Sequence, residues 1–445
     1  MGYFIMGMQL LLSLSILVTL HEFGHFWTAK KFGMRVEKFY LFFDAFGGKI
    51  FHTKRGETEY GIGWLPLGGY VKIAGMIDES MDKEALAQPP QPWEFRSKPA
   101  WQRLIVMVGG VTVNFLLGIF LFAMLLWIYG EKYLPSKNIE NGVACSELAK
   151  EMGFKDGDQI LAVGGEEFEK FNSGIITGKM LFDKIYDVKI LRDGQEMTIT
   201  VPDSSVVKLP SQKGKALFTP RVPFVAGGFA KESAAKKAGM EKGDSLVACN
   251  GVATPFFTDF VAEITKHKDQ DVQVDYYRDG ELKQLTLHTS KEGKMGVAPY
   301  GPDRYYEFGR EKYGLLAAFP AGLNKSYRFL ETQIKAFGQM FTGRIKASES
   351  LGGFISIGKM FPPVWDWEHF WRMTAILSLI LGFMNLLPIP ALDGGHVMFL
   401  MFEIIARRPV SEKVLEFAQI IGFVILLSLL LYANGMDVYR EIFSK

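Results

Sequence analysis

Residues 1–25 read MGYFIMGMQLLLSLSILVTLHEFGH. Met1–Leu20 contains no charged residue, and about 20 apolar residues suffice to cross a hydrocarbon core as a helix. The run lacks a basic lead-in and a small-x-small cleavage site, so it is expected to stay as a membrane helix rather than be cut off as a signal peptide. Leu104–Gly130, Met373–Leu392 and Phe417–Met436 are equally free of charge. One such run would fit a buried core helix, but four point to a bilayer. The expected fold is therefore a multi-pass α-helical membrane protein with four transmembrane helices.

The averages over the 445 residues hide this pattern. Charged residues are 22%, and Lys+Arg at 50 nearly balance Asp+Glu at 48. That balance gives no support to a nucleic-acid binder or an acidic disordered tail. Two cysteines exclude a disulfide scaffold and a four-cysteine zinc site.

Orientation follows from Lys and Arg at the helix ends. Lys30, Lys31, Arg35 and Lys38 follow the first run, Arg96, Lys98 and Arg103 precede the second, and Arg407, Arg408 and Lys413 lie between the third and fourth. Residues 30–103 and 404–416 are thus expected inside, with both termini and residues 131–366 outside.

The outside segment repeats itself. Gly153, Gly157, Asp158, Gly165, Arg192, Asp193 and Gly194 recur as Gly239, Gly243, Asp244, Gly251, Arg278, Asp279 and Gly280, each 86 residues later. A fixed offset marks a duplicated module. In each copy a helical stretch (Ser146–Met152, Ser233–Ala238) precedes a glycine turn and a short strand (Gln159–Val163, Ser245–Cys249). Arg-Asp-Gly then reads as a hairpin turn. The copies, 131–218 and 219–300, resemble PDZ domains of bacterial membrane and periplasmic proteases. The matching residues are Ala149, Gly153, Phe154, Gly157, Asp158, Ile160 and Gly165, and likewise Ala235, Gly239, Met240, Gly243, Asp244, Leu246 and Gly251. Two uses stand open: binding of peptide termini by strand addition, or spacers and filters with empty grooves.

The chemistry lies where the first run ends. His21 and His25 stand at i and i+4 on one helix face and can hold one zinc ion through imidazole nitrogens. Glu22 is placed to take a proton from a zinc-bound water. Two histidines and a glutamate at the end of an apolar helix are costly without partners. A catalytic zinc usually has three protein ligands, and the third run offers Asp393 within Asn385-Leu-Leu-Pro388-Ile-Pro390-Ala-Leu-Asp393-Gly394-Gly395. His21 and Asp393 each follow 20 residues of their run, so at about 1.5 Å per residue they reach similar depth. Pro388 and Pro390 break the helix there, as a cavity lining permits. The plainer reading of Asp393 is a charged helix end with Gly394-Gly395 as terminator.

These two motifs together resemble the site-2 protease family of intramembrane zinc metalloproteases, of the type with tandem PDZ units. The resemblance covers essentially the whole chain. It implies one Zn²⁺ held by His21, His25 and Asp393, with Glu22 as catalytic base and Asn385 holding substrate or stabilising an oxyanion. It also implies that the inside region 30–103 carries a membrane-associated β-sheet able to pair with an extended substrate. The alternating stretches Val36–Phe43, Lys49–His52, Glu59–Gly63 and Tyr70–Ile73 fit such a sheet. Gly68, Gly69 and Tyr70 are the expected substrate-binding residues, because Leu67-Gly68-Gly69-Tyr70 lets a backbone approach closely.

By the same resemblance the partners are transmembrane protein substrates such as anti-sigma factors and signal-peptide remnants, besides peptide ligands of the PDZ-like domains and the lipid bilayer. The expected location is the bacterial inner membrane. The chain then divides into 1–130 with the first two spans, the two modules, a 301–366 connector and 367–445 with the last two spans. The rival readings are a non-catalytic membrane PDZ scaffold and a transporter; a transporter predicts inverted repeats of the spans, and none is seen.

Smaller features complete the reading. Gly110, Asn114 and Gly118 share one face of the second run, best read as helix packing. Leu323, Tyr327, Leu330, Ile334, Phe337 and Phe341 form one apolar stripe, fit for the membrane surface or for packing on the spans. His396 is equally a group supporting Asp393 or a turn histidine. Phe354 stands after Leu351-Gly352-Gly353 where members of the family often carry proline.

Overall fold

The structure is a computed structural model that describes residues 2–76, 89–212, 216–343 and 352–443. Leu351 and the side chain of Phe341 lie outside the described residues. The chain divides into two compact units: 1–130, 312–334 and 350–445 form one, and 131–311 with 335–349 form the other.

In the first unit the uncharged N-terminal run is helix α1 (Gly2–Lys31). It ends in a glycine stop: Gly33 adopts φ +66, and the Met34 N–H returns to the Ala29 carbonyl at 2.9 Å. Lys30 and Lys31 complement the helix dipole there. Four strands follow: β1 (Val36–Phe43), β2 (Lys49–Arg55), β3 (Thr58–Gly63) and β4 (Leu65–Ile73). They form one sheet in the order β2-β3-β1-β4, with β1 parallel to β3 and antiparallel to β4. β4 is thus an edge strand. It starts five residues before the alternation that announced it, because pairing with β1 carries the chain through Gly68-Gly69.

Helix α2 (Ala100–Ile128) begins after Pro99 and crosses α1 at a glycine contact. A Cβ on Gly109 would stand 2.7 Å from the Gly24 carbonyl oxygen, so neither position has room for a side chain. Helix α3 (Leu315–Phe341) carries the apolar stripe, fit for the membrane surface or for packing, and the face it packs is largely small. Ala318 and Ser326 are buried, and Gly322 lies against Ala123 of α2. Phe329 and Leu330 pack nearby, whereas Leu323, Tyr327 and Ile334 are exposed. Periodicity marked the apolar face correctly; close backbone approach decided which face packs.

A short helix α4 (Phe354–Gly358) precedes α5 (Trp367–Leu386), which Asp366 caps by accepting the His369 N–H at 3.0 Å. The run 373–392 is not one helix. α5 stops before Pro388, since the residue ahead of a proline avoids helical geometry. A new helix α6 (Asp393–Ala406) starts at Asp393, and α7 (Glu412–Phe443) ends the unit. Among the described residues, three helices are long and apolar enough to cross a membrane: Gly2–Lys31, Ala100–Ile128 and Lys413–Ile442.

The second unit contains the two repeated modules. Ser146 and Ser233 cap equivalent short helices, and both Arg-Asp-Gly sequences form two-residue hairpins with positive φ at Asp193-Gly194 and Asp279-Gly280. The 86-residue offset preserves a buried ion pair as well. Arg192 donates to Asp158 at 2.7 and 2.8 Å and to the Gly153 carbonyl at 2.9 Å. Arg278 donates to Asp244 at 2.7 and 2.6 Å and to the Gly239 carbonyl at 3.0 Å. Each aspartate also accepts the backbone N–H three residues earlier, at 2.8 Å. Each module closes over its own apolar core, one around Phe154, Ile176 and Ile190, the other around Phe224, Phe260 and Val274. Phe218–Pro220 pairs with Val143–Cys145, so the first module's strands extend two residues past the expected boundary at 218.

Candidate metal centre

His21 and His25 lie on the face of α1 turned to α2, and both are buried. Gly110 of α2 makes room for them. A Cβ there would sit 2.8 Å from His21 Cε1 and 2.9 Å from His21 Nδ1, and closer still to His25 Nε2. The two Nε2 atoms face each other at 3.2 Å. Asp393 Oδ2 lies 3.1 Å from the first and 3.4 Å from the second. The three ligand atoms all fall within 4.8 Å of one another.

The local chain explains how Asp393 arrives there. Residues 387–392 fold back over the first turn of α6, and a Cβ on Gly394 or Gly395 would collide with the carbonyls of residues 386–389. The two glycines are therefore the start of a helix, not a terminator. Ala391 takes φ +73, a conformation strained for a residue with a side chain, and its N–H donates to Gln419 Oε1 at 3.2 Å. Gly422 lets α7 lie directly against the Pro390 carbonyl. Nothing in the sequence reading singled out Gln419 or Gly422, since their role depends on where α7 lands.

The remaining polar contacts orient the rings. His25 Nδ1 stands 2.8 Å from the Val106 carbonyl, 3.0 Å separates His21 Nδ1 from the Asn114 amide, and Asn385 Nδ2 is 3.2 Å from His21 Nε2. Asp393 Oδ2 is buried and has no hydrogen-bond partner among the described residues. Two imidazole nitrogens converging on one buried carboxylate oxygen fit a divalent cation of the zinc type.

A cavity of about 550 Å³ opens on this cluster, lined by Glu22 as well as the three converging residues. Its opposite wall is β4. A Cβ on Gly69 would meet the Tyr40 carbonyl at 2.7 Å and Val18 at 2.8 Å, and the Val71 backbone amide faces the Glu22 carboxylate. Of the three residues expected to hold substrate here, Gly69 and Tyr70 line the cavity, and Gly68 does not. The Tyr70 hydroxyl is engaged elsewhere: it donates to Asp44 at 2.8 Å, beside the Lys38 ammonium at 2.9 Å from the same carboxylate. Burial raises the Asp44 carboxyl, but these two donors outweigh it and hold it below its ordinary value. His396 also lines the cavity.

The model of Peptidase family M50 matches residues 9–429. The chain belongs to peptidase family M50. This M50 peptidase is 29% identical over 449 residues to "Regulator of sigma E protease" of Haemophilus influenzae, covering 97% of this chain and 98% of that protein. It is 30% identical over 468 residues to "Regulator of sigma-E protease RseP" of Escherichia coli, covering 98% of this chain and 97% of that one. A protein of Vibrio cholerae named "Putative zinc metalloprotease" is 31% identical over 468 residues, with 97% of each chain covered. The matches thus take in both the buried cluster and the repeated modules.

Proposed function

We propose that this M50 peptidase is an intramembrane zinc endopeptidase that cuts transmembrane segments of single-pass membrane proteins. The observation that carries the reading is the convergence of His21 Nε2, His25 Nε2 and Asp393 Oδ2 beside Glu22 in a cavity walled by a strand edge. His21, His25 and Asp393 would hold the ion, with the cavity giving water and substrate access to it. The zinc, when bound, supplies Lewis acidity toward that water and toward the scissile carbonyl. Glu22 accepts the water's proton and passes it to the departing amine. Asn385, within reach of the same point, steadies the carbonyl oxygen.

A transmembrane helix hides its own amides, so it must open before it can be cut. The edge of β4 that is unpaired among the described residues offers backbone groups to an opened segment, and Gly69 brings that edge close to Glu22. This supports an extended substrate lying along β4 across the cluster.

The topology belongs to the same reading. α1, α2 and α7 cross the bilayer, and α5 with the broken segment 387–392 makes the fourth crossing. Basic residues at the helix ends support an orientation in the bacterial inner membrane with 30–103 and 404–416 on the cytoplasmic side and the repeated PDZ-like modules on the other. The E. coli and H. influenzae relatives are named for regulation of sigma E, which supports anti-sigma factors as substrates. No observation favours the non-catalytic scaffold over this reading.

The decisive experiment replaces Glu22 by Gln, which keeps size and loses the base. Zinc content should stay at one per chain, while cleavage of a single-span substrate in detergent falls by about 10²–10⁴. Undiminished cleavage by the zinc-loaded variant would falsify the assignment.

A further inference from the structure

We propose that Asn114 is the positioning residue for His21: its amide oxygen accepts the Nδ1 hydrogen and so keeps the Nε2 lone pair turned to the metal. The inference rests on the zinc reading above and adds a residue that neither motif contains.

An imidazole ligates through an unprotonated nitrogen, and its other nitrogen then carries a hydrogen that needs an acceptor. For His25 the acceptor is plain. The Val106 carbonyl, 2.8 Å from Nδ1, can only accept, so the hydrogen sits on Nδ1 and Nε2 is bare. His21 has no carbonyl in that place. Its Nδ1 meets the Asn114 amide at 3.0 Å.

A side-chain amide has two orientations that differ by exchange of oxygen and nitrogen, and the hydrogen-bond network decides between them. With the NH₂ toward His21, Nδ1 must accept, the ring hydrogen moves to Nε2 and metal binding is blocked. The residue is 0% exposed, and its amide atom turned away from His21 has no hydrogen-bond partner among the described residues. Turning the amide over removes that block. Oδ1 then accepts from Nδ1, and bare Nε2 faces His25 Nε2 at 3.2 Å and Asp393 Oδ2 at 3.1 Å.

Asn114 is itself held. Ser378 of α5 donates to its backbone carbonyl at 2.7 Å, and Gly382 lets α5 close against its side chain. Gly110, one turn earlier on the same face, admits the two rings. The face Gly110-Asn114-Gly118 therefore does two jobs. Gly118 packs α2 on Leu379 of α5, as expected from the sequence, while Asn114 serves the metal ligand.

The test measures zinc affinity by chelator competition on the full chain in detergent, with melting of the zinc-free protein alongside. Asn114→Leu, which cannot accept a hydrogen bond, should weaken zinc about 10–100-fold. Asn114→Asp, which can only accept, should stay near wild type. In the cobalt-loaded protein the leucine variant should also shift the visible ligand-field bands, and the aspartate variant should not. Gly118→Ala, a packing change on the same helix, should lower melting and leave zinc affinity alone. Wild-type affinity in Asn114→Leu would overturn the proposal, as would a loss in Asn114→Asp equal to that in Asn114→Leu. If the leucine variant does not fold, the aspartate variant still decides, because a donating amide predicts loss there. Failure of the wild-type protein to bind zinc would instead remove the metal reading, and this inference with it.

Discussion

Gly110→Ala is the smallest change that should reach the metal centre from outside the ligand set. One methyl group added there would lie 2.8 and 2.9 Å from two atoms of the His21 ring, with the His25 ring nearer still. Ordinary carbon contact begins near 3.5 Å, so the rings must retreat by roughly 0.5–1 Å or the helices must part. Neither is free. Metal sites tolerate ligand displacements of about 0.2 Å, and overpacking a tight interior costs about 1–3 kcal/mol. Parting is opposed at the neighbouring position, where Gly109 already touches the Gly24 backbone. If the strain falls on the metal-bound arrangement, 1–3 kcal/mol corresponds to about 5–150-fold weaker zinc, at 1.4 kcal/mol per tenfold. Chelator competition on the purified protein measures this directly, with Gly118→Ala as the control whose obstacle is Leu379 of α5 rather than a ligand ring. Zinc binding by Gly110→Ala as tight as wild type would show that the rings do not pack against α2 as described.

Gly69→Val should act on substrate rather than on metal. The new side chain would be driven into the Tyr40 carbonyl and Val18, lifting β4 from α1, so cleavage should fall while zinc content stays at one per chain. Loss of zinc together with cleavage would count against a separate role for the strand. Asp244→Asn concerns the second module: burial raises the Asp244 carboxyl, but Arg278 and the Glu241 N–H more than offset this and hold it below its ordinary 3.8. A carboxylate depressed in the folded state stabilises above its unfolded value and loses that contribution as pH falls through the folded one. The variant should therefore melt earlier than wild type at pH 7, and the gap should narrow as pH falls below the ordinary carboxylate value of 3.8; a gap that persists in strong acid would point to shape rather than charge. Reporter fusions at residues 85 and 410 should read cytoplasmic and those at 200 and 290 external, as the Lys and Arg positions require. An external signal at 85 would reverse the orientation.

What could be read in advance and what could not divide along a physical line. His21, Glu22 and His25 were legible because four residues on one helix fix their geometry without any help from the rest of the chain. The duplicated modules were legible because Gly153 and Gly239, or Asp158 and Asp244, answer local demands: a positive φ after a helix, an acceptor for a nearby backbone N–H. Asp393 came into view through its motif, and the structure adds why the motif has two glycines, since the loop 387–392 lies directly over them. Asn114 shows where such reading ends. Its place on the face of Gly110 and Gly118 was plain, but a face does not say which helix it meets, and an amide reads alike whether it bonds a backbone or a ligand. The choice was made by the crossing at Gly24 and Gly109, which sets α2 deep enough for Asn114 to reach His21. α3 shows the same division, because its large apolar residues set the period while Ala318, Gly322 and Ser326 set the contact. In a bilayer this outcome has a general cause. Apolar side chains lose little by facing lipid, so small residues and the few polar groups decide which faces close, and those are the positions that hydropathy weighs least.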